Sequence, residues 1–257
     1  MSHPKRANYG NWIRRRIIGE IALVAVLLLL IAFLPLPLPG RLSFWLLSGL
    51  FFGVALYLVA VYLLFSDQGG HLQVKVRQVL LDRVSWDGRG KALDIGTGNG
   101  ALAIRLAQLY PLSCTEGVDV WGHQWEYAQS RCEQNALLEH VETRVHFQKG
   151  SAAHLPYADE TFDVVVSHFV FHEVDGADKR QVLREAFRVL RPDGSFAFQD
   201  MFLDTALYGE ISELIDLVHT WGVREVQYIP TKEALAIPFL VRNRRALGYA
   251  GVLFGRK

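Results

Sequence analysis

The sequence predicts an α/β protein with a doubly wound parallel sheet, preceded by two transmembrane helices. Two long apolar runs lie within residues 1–66, and short apolar strands alternate with amphipathic helices after residue 88. A glycine-rich turn follows the first of those strands. The chain is therefore expected to consist of a membrane anchor, residues 1–66, and a second domain, residues 67–257.

The two apolar runs extend from Ile17 to Leu34, with a single charge, and from Leu42 to Phe65, with none. Each is long enough to cross a hydrocarbon core about 30 Å thick as a helix. The proline-rich segment PLPLPGR between them ends the first helix and leaves a tight turn. A cleaved signal peptide is disfavoured because a second uncharged run follows the first. Five bases precede the first run and one lies in the turn. The positive-inside rule thus predicts a multi-pass membrane protein whose N-terminus and C-terminal domain are cytoplasmic.

The charge distribution argues against a nucleic-acid-binding domain. Residues 1–66 carry six Lys or Arg and one Glu, whereas the remainder carries 21 bases and 25 acids. The second domain therefore lacks the basic face that phosphate neutralisation requires. The two cysteines, Cys114 and Cys132, are too few for a disulfide framework. The sequence gives no indication of an oligomeric state.

The second domain begins with an amphipathic helix from His71 to Val84 and continues as alternating strands and helices. In chain order we predict the strand KALDI, the helix ALAIRLAQL, the strand SCTEGVDV, the helix WEYAQSRCEQNAL, the strands RVHFQ and FDVVVSH, the helix DKRQVLREAFRVL, the strand SFAFQDM and the helix GEISELIDLVHTW. A strand VREVQYI, a helix near Lys232 to Leu247 and a final strand YAGVLFG complete the chain. This alternation is typical of a parallel sheet covered by helices on both faces.

The strongest local signal is LDIGTGNG, Leu93 to Gly100, in which a strand turns through three glycines into a helix. Glycines accept positive φ angles and let a ligand approach the bare backbone. Asp119 ends the next strand, where an acid accepts the hydroxyl hydrogens of a ribose. Together these features predict an adenosine-type ligand. The glycines also fit a dinucleotide fingerprint, so an NAD-dependent oxidoreductase is an alternative. Asp94 argues against it, because a carboxylate there faces a pyrophosphate unfavourably and suits a ligand with an ammonium group.

Four segments carry a resemblance to the class I S-adenosylmethionine-dependent methyltransferases that covers about residues 72–257. These segments are LDIGTGNG, VDV, GSAAHLPYADETFDVVVSHFVFHEV and LREAFRVLRPDGSFAFQD. The phrase LPYADETFD is similar to one found in the group of quinone and sterol C-methyltransferases. The resemblance implies a Rossmann-like seven-stranded sheet with an antiparallel last strand. It also implies S-adenosyl-L-methionine as the cofactor.

The same resemblance implies which residues hold the cofactor. Asp94 would orient the methionine part, the glycine turn would receive the cofactor against its backbone, and Asp119 would hold the ribose. The implied cofactor-binding residues are Asp94, Gly96, Thr97, Gly98, Gly100, Asp119, Val120, Ser151, Ala152 and Ser167. Ser151 departs from the family pattern, since many members have an acid there that accepts from the adenine amino group.

Three residues just beyond the fourth predicted strand are the candidate catalytic residues: His168, His172 and Glu173. A neutral imidazole there can accept the proton that a hydroxyl or activated carbon releases during methylation. No metal site is predicted, because the two histidines lack a third ligand and do not follow a zinc-protease order.

These features predict a membrane-anchored methyltransferase that acts on a lipophilic or membrane-associated small molecule, with that substrate and the lipid bilayer as its partners. The short connection after Phe65 keeps the second domain close to the bilayer. Alternatives are a methyltransferase for a soluble metabolite or a protein, with the hairpin only as an anchor, an NAD-dependent oxidoreductase, or a non-catalytic cofactor sensor.

Overall fold

The structure is a computed structural model that describes residues 6–66, 69–121, 128–244 and 246–257. The chain forms two compact units, Asn11–Lys75 and Met1–Gly10 together with Val76–Lys257. The boundary predicted after residue 66 therefore falls inside the smaller unit. The described residues 6–10 belong to the larger unit.

The smaller unit is a helical hairpin of α1 (Arg15–Ile31) and α2 (Leu38–Phe65). The two helices are antiparallel, since Arg15 donates to the hydroxyl of Tyr62 and the Ser48 hydroxyl donates to the carbonyl of Ala25 at 2.8 Å. The second helix begins four residues earlier than the predicted span. Pro39 is tolerated there because the first turn of a helix needs no N–H donor.

Among the described residues, α2 is the one helix long and apolar enough to cross a membrane. The first helix has 17 residues, about 25 Å of helix at 1.5 Å per residue. The expectation of two transmembrane helices is therefore not confirmed: among the described residues, one helix meets the length and composition of a span.

The larger unit is built on a seven-stranded sheet. Its strands are β1 (Gly90–Ile95), β2 (Ser113–Asp119), β3 (Val145–Lys149), β4 (Phe162–His168), β5 (Leu190–Asp200), β6 (Glu225–Pro230) and β7 (Gly251–Arg256). Their order is β3-β2-β1-β4-β5-β7-β6. The first five are parallel, and β7 is antiparallel to both of its neighbours. The expected Rossmann-like seven-stranded sheet with an antiparallel last strand is confirmed.

Helices and two short 3-10 turns, Phe171–Glu173 and Phe239–Val241, precede or join these strands. The helices are α3 (Leu72–Leu81), α4 (Ala101–Leu109), α5 (Gln129–Leu138), α6 (Lys179–Val189), α7 (Thr205–Tyr208), α8 (Ile211–Thr220) and α9 (Thr231–Ala234). The helix predicted from Trp125 is observed from Gln129, and residues 122–127 lie outside the described part of the chain.

Hydrophobic cores cover both faces of the sheet. On β1 and β4, Leu93 and Val165 pack into the cluster that contains Phe187, whereas their neighbours Ala92 and Val164 pack into a second cluster on the other face. This alternation follows from the two-residue period of a strand. Helices on both sides bury these faces, which leaves the strand ends as the accessible edges of the sheet.

Two predicted boundaries are wrong. Among the described residues of this segment, the helix near Lys232 to Leu247 is not formed: α9 ends at Ala234, and a 3-10 turn, Phe239–Val241, follows. Pro238 lies between them, and a proline disfavours helical geometry in the residue before it. The fifth strand also begins earlier than expected, at Leu190, with an irregularity in its pairing to β4.

Candidate functional site

The site lies at the carboxyl edge of the parallel strands. Ile95 pairs with Val118 on one side and with Ser167 on the other, so the ends of β1, β2 and β4 are level. His168 pairs with Gln199 of β5, which brings the end of that strand to the same edge. Open α/β sheets bind ligands at such an edge.

The glycine turn after β1 has the conformation that its sequence predicts. Gly96, Gly98 and Gly100 have φ angles of 70°, 56° and 79°. A Cβ atom on Gly96 would lie 2.1 Å from the Cγ2 atom of Val170, so no side chain fits there. The amides of Gly96 and Thr97 both donate to the carbonyl of Val118, which fixes the turn on β2.

Asp94 lies directly beneath this turn and is only 1% exposed. Its Oδ2 atom accepts from the hydroxyl of Thr97 at 2.7 Å and from the amide of Ala103 at 3.1 Å. Burial raises the pKa of Asp94 to about 7, although these two hydrogen bonds partly oppose the rise. A positively charged group beside Asp94 would favour the ionised carboxylate, so the position suits a ligand that carries an ammonium group.

Asp119, at the end of β2, holds the turn from the other side. Its Oδ2 atom accepts from the amide of Gly98 at 2.9 Å, and its Oδ1 atom accepts from the amide of Trp121 at 3.0 Å. The indole N–H of Trp121 donates to the carbonyl of Gly98 at 2.9 Å. The carboxylate therefore lies beside the glycine turn, as the sequence predicts for a group that binds a ribose.

The remaining predicted cofactor contacts have different surroundings. Val120 is exposed beside Asp119, whereas Ala152 is buried in the core cluster. The Ser151 hydroxyl accepts from the amide of Ala153, and the buried Ser167 hydroxyl donates to the carbonyl of Ile95. The hydroxyl of Ser167 thus joins two strands, and its role toward a cofactor stays a prediction.

The two candidate histidines differ in access and in charge. Both ring nitrogens of His168 are buried, and burial lowers the pKa of its imidazole well below the ordinary value of 6.5. The positive charge of Arg77 lowers the pKa further, and a hydrogen bond with Gln199 opposes the effect. His168, at the end of β4, is therefore neutral at physiological pH, and its two ring nitrogens are shielded from solvent.

His172 is partly exposed and is held by a buried acid. Its Nδ1 atom lies 2.7 Å from Oδ1 of Asp200, whose side chain is 1% exposed. The amide of Phe171 donates to the other carboxylate oxygen of Asp200 at 2.8 Å, and the amide of Met201 donates to Oδ1. Because an ionised carboxylate only accepts hydrogen bonds, the neutral imidazole carries its proton on Nδ1 and has its lone pair on Nε2.

The carboxylates beside His172 also set its charge. Burial lowers its pKa, but the hydrogen bond and charge of Asp200, with the charge of Glu173, outweigh that effect. The pKa is therefore raised above 6.5. The Nε2 atom lies 3.7 Å from Oε1 of Glu173. Sequence reasoning missed Asp200, although a polar residue at the carboxyl end of a parallel strand is a signal that would have found it.

The residues at this edge fit S-adenosyl-L-methionine. The glycines of the turn present backbone without side chains, and the positive φ angles of Gly96, Gly98 and Gly100 favour glycine at each position. The buried carboxylate of Asp94 suits an ammonium group, and that of Asp119 suits paired hydroxyls. When bound, this cofactor supplies an electrophilic methyl group on a sulfonium.

Comparisons with known proteins agree with this geometry. Residues 93–198 match the family model described as "Methyltransferase domain". The chain is 40% identical over 113 residues to 27-O-demethylrifamycin SV methyltransferase of Amycolatopsis mediterranei, a match that covers 44% of this chain and 39% of that protein. It is 38% identical over 104 residues to demethylmenaquinone methyltransferase of Lactobacillus johnsonii, which covers 40% of each. The matches thus span about two fifths of these curated relatives.

A solved structure, geranyl diphosphate methyltransferase in complex with SAM, shares the fold with a TM-score of 0.53 at 13% identity. The likeness covers 72% of this chain and 85% of that one. Residues 93–198 thus match a methyltransferase domain, and the seven-stranded sheet that supports them has the fold of this solved methyltransferase.

Proposed function

We propose that this protein is a membrane-anchored methyltransferase that transfers a methyl group from S-adenosyl-L-methionine to a lipophilic small molecule. The observation that carries the proposal is the apolar composition of the helical hairpin, which belongs to the same chain as the residues that match a methyltransferase domain. The hairpin has large apolar side chains on its outside and small side chains between its helices.

The outward-facing side chains of the hairpin suit lipid better than water. Leu46 and Leu56 of α2 are 76% and 68% exposed within the structure, and large apolar side chains of α1 are exposed as well. Soluble monomers rarely expose continuous apolar surfaces of this extent. Between the helices lie Ala25 and Ser48, and small residues of this kind allow close packing of membrane helices. The hydroxyl of Ser48 donates to a carbonyl of α1, which satisfies this buried polar group.

Both helices of the hairpin are proposed to enter the bilayer. The first is shorter than the usual span, but tilting or local thinning of a bilayer accommodates a mismatch of a few ångströms at modest cost. An antiparallel pair returns the chain to the side from which it entered. With the bases before α1 on the cytoplasmic side, the methyltransferase domain is then cytoplasmic.

The acceptor is proposed to be a molecule that loses a proton when it is methylated. Of the two candidate histidines, His172 is partly exposed and its neutral form has a lone pair on Nε2, whereas the ring nitrogens of His168 are buried. A neutral imidazole takes up a proton from a hydroxyl, phenol or activated carbon. Asp200 orients the ring and stabilises the imidazolium that results, and His168 serves to shape the site.

Desolvation and orientation are the other contributions expected from the chain. Transfer of a methyl group from a sulfonium needs no covalent nucleophile, because the leaving group is already good. Asp94 and Asp119 would fix the two ends of the cofactor, and the glycine turn would hold it against the strand edge. The demethylmenaquinone methyltransferase among the matched relatives supports a quinone-like acceptor.

The experiment uses the full-length protein in detergent, methyl-labelled S-adenosylmethionine, and lipid and aqueous extracts of the host. Label in the lipid fraction, lost in His172→Gln and kept in the control Asp87→Asn at an exposed site, is the expected result. Label only in the aqueous fraction would refute the lipophilic acceptor and favour a soluble one. Extraction of the protein from membranes by alkaline carbonate would refute the insertion of the hairpin.

A further inference from the structure

We infer that residues 6–10, here called the N-terminal strap, are part of the cofactor site, and that Asn135 of α5 is a positioning residue that links the strap to the glycine turn. This inference rests on the proposed function, since it concerns the turn that would hold S-adenosyl-L-methionine. The strap and the glycine turn lie about ninety residues apart in the chain and belong to the same compact unit.

One buried amide joins the strap to the turn. The amide of Asn8 donates to Oδ1 of Asn135 at 2.9 Å, and Nδ2 of Asn135 donates to the carbonyl of Asn8 at 3.0 Å. The same Nδ2 atom donates to the carbonyl of Asn99 at 3.0 Å. Asn135 therefore pairs with the strap as a neighbouring strand would and, at the same time, holds the backbone of the turn.

The side chain of Asn99 completes the connection. Its Nδ2 atom donates to the carbonyl of Tyr9 at 3.2 Å, so turn and strap are bonded directly as well as through Asn135. Asn135 and Asn99 are 1% and 8% exposed. Water therefore does not replace these bonds when one is lost, and a buried polar group without a partner is costly.

The ring of Tyr9 anchors the strap. It packs against the apolar cluster that contains Ala103 and Ile104 of α4 and Ala136 of α5. Burial raises the pKa of the Tyr9 hydroxyl, and a hydrogen bond to Glu139 adds to the effect. The strap is thus held by apolar packing as well as by hydrogen bonds.

These contacts involve Asn99, which lies within the glycine turn. Asn99 lies between Gly98 and Gly100, both of which have positive φ angles. Glycine allows this conformation but does not enforce it, since it populates other regions as readily. Contacts to the Asn99 backbone from Asn135 reduce that freedom. The strap should therefore improve cofactor affinity by ordering the cradle before binding.

The strap is hydrogen-bonded to the cofactor turn, and the hairpin unit follows the strap along the chain. Gly10, its last residue, is followed at once by Asn11, where the hairpin unit begins. The hairpin is thus joined through the strap at one end and through α3 at the other. Loss of the first ten residues is therefore expected to weaken cofactor binding, although none of them belongs to a recognisable cofactor motif.

The test measures binding of S-adenosylmethionine and S-adenosylhomocysteine to the full-length protein by calorimetry, together with hydrogen exchange of residues 94–100. Asn135→Ala and a deletion of residues 2–10 are each expected to raise Kd about fivefold to tenfold and to speed exchange in the turn. The two changes combined should weaken binding no more than either alone, because they break the same connection. The control is Ser113→Ala, which removes a buried hydroxyl at the opposite end of β2 and should leave Kd unchanged.

The outcomes separate this inference from the proposed function. If the wild-type protein binds neither compound, the proposed function fails. If the wild type binds and both variants bind with the same Kd and the same exchange in the turn, the role of the strap is refuted. Should Asn135→Ala fail to fold, the deletion variant decides, because it removes the strap and leaves Asn135 in place.

Discussion

Replacement of Asp94 with asparagine is expected to stabilise the protein without cofactor while it removes cofactor binding. The substitution keeps the size of the side chain and its ability to accept from Thr97 and Ala103. It removes a carboxyl group whose pKa rises from 3.8 to about 7 on burial. One pKa unit corresponds to about 1.4 kcal/mol, so the ionised carboxylate costs the free protein about 4 kcal/mol at neutral pH.

The sign of the pH dependence follows from linkage. Between pH 4 and 7 the folded protein holds a proton on Asp94 that the unfolded chain has released. Wild-type stability should therefore fall as pH rises through this interval and level off above about pH 7. The advantage of Asp94→Asn should be small near pH 4 and should reach its full size at pH 7 and above.

Thermal unfolding of the full-length protein in detergent, at several pH values, provides the measurement. A domain of this size shifts by about 2–4 °C per kcal/mol, so a difference in Tm of roughly 10 °C is expected at pH 8. The control is Asp87→Asn at an exposed site. A Tm difference that does not change between pH 5 and pH 8 would refute the reasoning, as would wild-type cofactor affinity in Asp94→Asn. Cofactor affinity of the wild type should weaken as pH falls below about 7, because the ammonium group of the ligand binds the ionised carboxylate.

Two further predictions concern the glycine turn and the candidate base. Gly96→Ala should destabilise the protein by about 2–4 kcal/mol, because the new Cβ atom meets Val170 and the φ angle is positive. Gly176 also has a positive φ angle, 68°, but has open space around it, so Gly176→Ala should destabilise the protein by only about 1 kcal/mol. Chemical denaturation of both variants checks this, and equal costs would contradict the close contact. Asp200→Asn should lower the pKa seen in the dependence of rate on pH, because it removes the charge and hydrogen bond that raise the pKa of His172. It should also lower kcat more than it changes the KM for the cofactor. A profile with an unchanged inflection would argue against His172 as the base.

The sequence predicted the parts of the site that are local in the chain. Asp94 and the glycine turn lie within seven residues, so the strand, the turn and the helix that follows are formed by neighbours along the backbone. Asp119 could be placed for a related reason. The carboxyl ends of adjacent parallel strands meet at one edge of a sheet, and the alternation of strands and helices already implied such a sheet.

The error near the C-terminus has a physical cause as well. Apolar residues between Lys232 and Leu247 suggested a helix, but Pro238 interrupts it, and the chain instead leads into the antiparallel strand β7. The proline is thus a local reason why this segment does not form one continuous helix.

What the sequence determined by itself was therefore the α/β class, the apolar hairpin and the glycine turn, because periodicity and neighbouring residues specify them. Only the tertiary structure paired His172 with Asp200, 28 residues apart, and Asn8 with Asn135, 127 residues apart. Such pairs leave no periodic trace in a single sequence. They form because the sheet brings the ends of β4 and β5 together and because α5 packs close to the glycine turn, and burial then makes each of these hydrogen bonds matter.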